Sequence, residues 1–291
     1  MSDVPLVSGL AALAPRYDGF IVDLWGVLHD GVAAFPAALD CLERLRAAGK
    51  PVSILSNAPR RAAPVVARNR ELGILPAHFD AVMSSGEDTW RHLEARPDDW
   101  YRSLGPRCYH LGPPRDHGLR EGLGYDFVED LEEADFVLLT GADGPEDRVE
   151  DFEAPLQQAR ARSLPMVCAN PDLEVIRGGQ REICAGAIAA RYEAIGGEVR
   201  YHGKPLPGVF RICFDMIGVE DPGRALMIGD SLRTDVAGAA AAGADALFVT
   251  GGIYAERLGV APDETPEPAR LAALCADEGA RPSAAIPALR W

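Results

Sequence analysis

The chain has 291 residues, 47% of them hydrophobic, and a formal charge of −15, with a pI near 4.8. That composition supports a large core, either in one big domain or in two smaller ones. The acidic field repels nucleic acid and anionic lipid, so neither is expected as a partner.

No uncharged apolar run reaches the roughly 18 residues of a membrane span. The stretch MSDVPLVSGLAALAPRYDGF has no basic start leading into an apolar segment, so it does not read as a secretory signal. Cys41, Cys108, Cys168, Cys184, Cys213 and Cys275 form no Cys-x-x-Cys pair, and most sit in apolar stretches such as MVCAN. Buried reduced thiols and a cytoplasmic location are therefore expected.

Strand and helix signals alternate through the first part of the chain. FIVDLWGV reads as a buried strand. Residues 35–48 carry Ala38, Leu39, Leu42 and Leu45 at helical spacing, with Gly49 as a stop. PVSILSN is a second strand, 60–72 a helix ended by Gly73, AVMSS a third strand, and 87–94 another helix. This order predicts a parallel sheet covered by helices.

The texture changes from about Trp90, where Pro, Gly, Arg and aromatic residues mix. Strands are expected at RCYHLG, DFVLLTG and LPMVCAN, with a helix over 148–161. The segment 89–197 is therefore expected to be a smaller α/β domain inserted into a core formed by 1–88 and 198–291. Regular order returns with a helix over 207–217, the strand and loop RALMIGDS, an Ala-rich helix over 234–242 and the strand DALFVTGG. The final stretches APDETPEPAR and ARPSAAIP are expected to wrap the surface. GGQ at 178–180 reads as a turn.

Four short segments that follow or end apolar strands carry reactive groups. Asp23 ends the first strand, and Ser56 and Asn57 end the second. Lys204 lies in YHGKPLPG, and Asp230 and Asp235 lie in GDSLRTD. Each alone has an ordinary role open to it: a turn carboxylate, helix caps before Pro59, a surface lysine, caps of the Ala-rich helix. In a parallel sheet, however, strand ends converge on one crevice. There Asp23 and Asp230 can share a hard cation such as Mg²⁺. Ser56, an adjacent N–H and the Lys204 ammonium can cradle a dianionic phosphoryl group. A carboxylate beside them can attack phosphorus.

In this order the motifs DLWGVLHDG, SILSNAPR, ANPD, ICAGAI, HGKPLPGVF and GDSLRTDVAGAAAAGADALFVTGG resemble the haloacid dehalogenase superfamily. Within it, they are similar to the class IIA branch of NagD-like and p-nitrophenylphosphatase-like enzymes. The resemblance runs from about Tyr17 to Gly252. It implies a Rossmann-like core with an inserted cap, and a Mg²⁺-dependent phosphatase acting on a small phosphorylated metabolite such as a sugar phosphate, nucleotide or aryl phosphate. It makes Asp23 the nucleophile. Asp23, the Trp25 carbonyl and Asp230 become metal ligands. Ser56, Asn57 and Lys204 hold the phosphoryl group, and Asp235 supports the metal site. Asn170 and Asp172 of the cap would approach the substrate, unless an Asx turn is all they form. Pairing of two copies through the cap is common in that branch and leaves a homodimer open here.

One position departs from the family pattern. Trp25 stands where the family has a second aspartate, the acid that protonates the leaving alkoxide and then activates water. Loss of such a group costs on the order of 10²–10⁴ in rate. Three readings follow: a slow phosphatase favouring esters whose leaving group needs no proton, a substitute acid at His29 or Asp30, or a site that binds a phosphorylated ligand without turnover. Phosphonate cleavage or phosphoryl transfer on the same scaffold is a further alternative.

Overall fold

The computed structural model describes residues 4–261 and 263–291. Its larger sheet is parallel, with strands β1 (Gly19–Val22), β2 (Val52–Ser56), β3 (Ala81–Ser84), β11 (Ala225–Gly229), β12 (Asp245–Val249) and β13 (Ala284–Ile286) in the order β13-β12-β11-β1-β2-β3. The chain winds outward in both directions from the middle, so strand order reverses between β1 and β11. The crevice at such a reversal is where open α/β sheets bind ligands.

Side-chain alternation builds two cores. Phe20, Val22, Ile54, Ile228, Leu247 and Ile286 enter the cluster on one face, and Ile21, Leu55, Met83, Met227 and Phe248 enter the cluster on the other. Burial on both faces explains why these strands read as continuous apolar runs rather than alternating ones. Helix α1 (Pro36–Ala47) starts with proline at its first turn, where the missing N–H has no intrahelical partner anyway. It presses Ala38, Cys41, Leu42 and Leu45 into the first cluster. Helix α2 (Ala62–Glu71) follows β2. Helix α3 (Ser85–Ala95) begins directly after β3, two residues before its expected start, because the Ser84 side chain caps it by accepting from Glu87 N at 3.0 Å.

The second sheet is also parallel. Its strands are β4 (Arg107–Leu111), β5 (Asp126–Val128), β6 (Phe136–Leu139), β7 (Met166–Cys168) and β10 (Val199–Tyr201), in the order β10-β7-β6-β4-β5. Helix α4 (Asp99–Ser103) precedes it. Helices α5 (Glu153–Ala161) and α6 (Ala185–Ala194) pack on one face, joining a cluster around Leu156, Ile188 and Tyr192. Strand β10 lies beyond the expected limit of 197, so this sheet draws on the segment leading directly to Lys204. A two-stranded antiparallel hairpin, β8 (Glu174–Arg177) and β9 (Gln180–Ile183), projects between β7 and α6. Its turn is Gly178–Gly179, with φ of 53° and 83°. Two successive left-handed residues make the kind of turn that matches strand twist, and the GGQ triplet is accounted for by that turn.

After β10 come α7 (Pro207–Ile217), a π-type turn over Leu232–Val236, α8 (Ala237–Ala242), α9 (Ala255–Leu258) and α10 (Pro268–Asp277). The expectation that the final segment only wraps the surface is corrected here. Part of APDETPEPAR opens helix α10. The core of ARPSAAIP is β13, fully buried at the sheet edge, where Ala285 N donates to Pro5 O and Ala285 O accepts from Val7 N, both at 2.9 Å. Four residues between Pro282 and Pro287, three of them small, are too few to show a strand period. All six cysteines are buried and free. No helix among the described residues is long and apolar enough to cross a membrane.

Burial of β13 makes it a structural element. Ala285→Glu places a carboxylate with no partner in the second core and is expected to cost at least about 3 kcal/mol of stability. A urea unfolding curve with an unchanged midpoint would contradict this placement.

Candidate active site

Asp23 follows β1, and its N–H still belongs to the sheet, donating to Ile228 O at 2.9 Å. Asp230 follows the neighbouring strand β11. The switch point therefore sets two carboxylates side by side. Asp235 joins them from the π-type turn, where its Oδ2 accepts from Ser231 N at 3.0 Å. One oxygen from each of the three lies within 4.8 Å of the others. Lys204 enters from the loop after β10. Its Nζ is 2.7 Å from Asp23 Oδ1 and 2.7 Å from Asp235 Oδ1. The four side chains are nearly sealed, with Lys204 at 2%, Asp235 at 0%, Asp23 at 7% and Asp230 at 8% exposure.

Asn57, at the end of β2, fixes the lysine's backbone rather than its ammonium. Its Oδ1 accepts from Lys204 N at 2.9 Å, and its Nδ2 donates to Lys204 O at 3.1 Å. The same Nδ2 donates to Asp172 Oδ1 at 2.9 Å. Asn170 forms the Asx turn, accepting from Asp172 N at 3.0 Å, and that turn brings Asp172 onto Asn57. Arg233 ties the same loop down by donating to Pro171 O at 2.8 Å. Ser56 lines the cavity that opens onto Asp23, and its Oγ accepts from Ala58 N at 3.2 Å.

Charge is unbalanced in this pocket. Burial pushes the Asp23 carboxyl up to about 7; Lys204 opposes that shift and Asp235 adds to it. Burial also drives Asp230 well above the usual carboxylate range, reinforced by Asp23 and Asp235. Burial works against the charge of Lys204, but Asp23, Asp235 and Asp172 outweigh it and raise its pKa. One ammonium thus faces several carboxyl groups, an arrangement that a divalent cation would relieve. Two further features fit such an ion. Asp235 Oδ1 is buried and takes no well-aligned hydrogen bond despite its ion pair with Lys204. Space beside Asp230 is kept by two glycines: a Cβ on Gly26 (φ 72°) would lie 2.0 Å from Asp230 Oδ2, and one on Gly252 would lie 2.2 Å from it. The donor set is all oxygen, which suits a hard cation.

Trp25 is half-buried beside Asp23. Its ring meets His29 edge-on, with centroids 4.9 Å apart, and the Arg177 guanidinium of the hairpin lies 5.0 Å from its centroid. Gly31 passes against the ring. His29 is buried, its Nδ1 accepts from Gly31 N at 2.9 Å, and burial pushes it down to about 4. Asp30 Oδ1 accepts from Val32 N and Ala33 N at 2.8 Å, closing a turn. Both side chains are occupied in shaping the loop.

Sequence reading did not single out Gly252, Ile253, whose N–H donates to Asp230 Oδ2 at 2.9 Å, or Arg177. Gly252 could have been suspected from the Gly-Gly pair that follows strand β12. Arg177 carries no such signal. Gly252→Ala is expected to displace Asp230 and weaken divalent-cation binding by about 10–100-fold while the fold survives. Calorimetric titration of Mg²⁺ into the variant checks this, and wild-type affinity would refute it.

Two family models match the chain, haloacid dehalogenase-like hydrolase over residues 20–126 and HAD-hydrolase-like over 201–274. Chronophin from Bos taurus is 31% identical over 257 residues, covering 79% of each chain. A crystal structure of a haloacid dehalogenase-like family hydrolase from Brucella suis 1330 superposes with a TM-score of 0.82 at 34% identity, covering 97% of this chain and 99% of that one. The 4-nitrophenylphosphatase of Thermotoga maritima gives a TM-score of 0.68 at 25% identity, covering 94% and 95%. With these likenesses and the strand-end constellation, the chain belongs to the haloacid dehalogenase-like hydrolases and is a phosphoric monoester hydrolase.

Proposed function

We propose that this enzyme is a Mg²⁺-dependent phosphatase of small phosphorylated metabolites, selective for esters whose leaving group departs without a proton. The observation that carries the reading is the buried Lys204 held between Asp23 and Asp235, beside Asp230, with Trp25 in place of an acid. Asp23, the Trp25 carbonyl and Asp230 would hold Mg²⁺, which when bound neutralises charge on the phosphoryl oxygens. Ser56, Asn57 and Lys204 cradle those oxygens. An Asp23 oxygen attacks phosphorus in line, and the bond from phosphorus to the leaving oxygen breaks. That oxygen leaves as the anion, favourable for an aryl or enol oxide and unfavourable for an alkoxide. Water then attacks the phosphorus of the aspartyl-phosphate, phosphate departs, and the Asp23 carboxylate is restored. Asp235 fixes Lys204, and Asp172 approaches the substrate through Asn57.

The smaller sheet and its hairpin act as the cap, over 89–197 with β10 added. Thr140, Asp172 and Arg177 from this region line the same cavity as Asp23, which supports that role. The six buried free thiols support a reducing compartment, and we place the enzyme in the cytoplasm. His29 and Asp30, both occupied in the loop, do not favour a substitute acid.

Phosphate release from p-nitrophenyl phosphate is expected to exceed that from a simple alkyl phosphate by about 10²-fold or more. It should require Mg²⁺ and vanish in Asp23→Asn. Equal rates on both esters would defeat the selectivity argument. Retention of a phosphorylated ligand with no release above the Asp23→Asn control would instead establish a binding module. In Trp25→Asp, alkyl-ester turnover should rise by at least about tenfold. A folded, Mg²⁺-binding variant that gains nothing would clear Trp25 of responsibility for the selectivity.

A further inference from the structure

A second buried polar cluster lies where the chain passes between the two sheets. Helix α3 leaves the larger sheet there, and His202 returns from β10 two residues before Lys204. Asp88, on the first turns of α3, is 5% exposed, and His202 is 3% exposed. Asp88 Oδ2 is 2.8 Å from His202 Nδ1, and Gly203 N donates to the same oxygen, more weakly, at 3.4 Å. The other ring nitrogen, His202 Nε2, is 2.6 Å from the Tyr101 hydroxyl on α4. Ser85, one turn before Asp88, donates from Oγ to His202 O at 2.9 Å.

A carboxylate only accepts, so His202 carries its proton on Nδ1 and takes the Tyr101 hydroxyl proton on Nε2. Burial tends to protonate Asp88, but hydrogen bonds from His202 and His92 outweigh it and keep the carboxylate ionised. Burial likewise holds His202 below its ordinary value, as the neutral ring this pattern needs. The backbone of 202–204 is thus fastened on one side by Asp88 and Ser85 and on the other by Asn57. That backbone is the base from which the Lys204 ammonium reaches Asp23.

We propose that Asp88 is a positioning residue for Lys204. Acting through His202 and Gly203 N, it seats the lysine that holds the nucleophile and the phosphoryl group, and through Tyr101 it locks that seat to the smaller domain. The assignment rests on the phosphatase reading for its catalytic consequence but not for its binding consequence. Both N–H groups need an acceptor, not specifically a charge. Asp88→Asn, whose amide oxygen can accept both, should keep catalysis within about one order of magnitude of wild type. Asp88→Leu offers no acceptor and should lower kcat on p-nitrophenyl phosphate by about 10²-fold, as expected for a misplaced catalytic group.

The measurement that separates position from simple damage is the Kd of inorganic phosphate with Mg²⁺ present, by calorimetry. In Asp88→Leu it should weaken at least about tenfold, in parallel with kcat, at a temperature where the variant is fully folded by circular dichroism, whereas an irreversibly misfolded fraction would lower the titration stoichiometry and leave Kd unchanged. If Asp88→Leu does not fold, Asp88→Ser, too short to reach His202, is held to the same criteria. Wild-type phosphate affinity in the folded acceptor-less variant, or an Asp88→Asn loss as large as that of the acceptor-less variant, overturns the proposal. A wild-type protein that binds phosphate but releases none from esters would sink the phosphatase reading and leave this test standing.

Discussion

The structure depends on one buried ammonium. Lys204 is 2% exposed and lies 2.7 Å from carboxylates supplied by two different elements. Burying a charge alone costs several kcal/mol, and a pair recovers that only if its geometry is held closely. The geometry is held by the parallel sheet, which aligns the ends of β1, β2 and β11, and by Asn57, which bonds both the N–H and the C=O of the lysine. Removing either half would leave unpaired charge at the centre of the molecule.

Both sheets are parallel and open toward one cavity, so its lining comes from equivalent edges of the two. The larger sheet contributes Asp23, Ser56 and Asn57. The smaller contributes Thr140 after β6 and Asn170 and Asp172 after β7. The hairpin β8–β9 closes over them through Arg177 on Trp25 and through Gly178 N donating to Asp30 O at 3.2 Å. The indole of Trp25 therefore serves as a contact for the hairpin.

Much of this was readable in the sequence because fully buried parallel strands leave long apolar runs, and a polar reactive residue at the end of such a run is seldom placed there by packing alone. Asp23, Asp230 and Lys204 meet around one centre, and Asp235 pairs there with Lys204. What escaped was short or long-range. Strand β13 has only three residues and no visible period. The hairpin β8–β9 was visible only as a glycine turn. Asp88 lies in the first turns of α3, a common place for an acid, and nothing local reveals that a histidine 114 positions later meets it. Trp25 stood out by departing from a pattern, but its neighbours, Arg177 above all, are set by tertiary packing.

The environment of Trp25 gives the protein an optical property of its own. The indole sits beside Asp23, edge-on to a neutral imidazole and under the guanidinium of the hairpin, while Trp90 and Trp100 lie under Arg61 and Arg200, respectively. Indole emission responds to nearby charge and to water. A ligand that alters the hairpin contact or brings a dianion next to Asp23 changes the surroundings of this one chromophore first, so occupancy of the crevice can be followed by intrinsic fluorescence without a label.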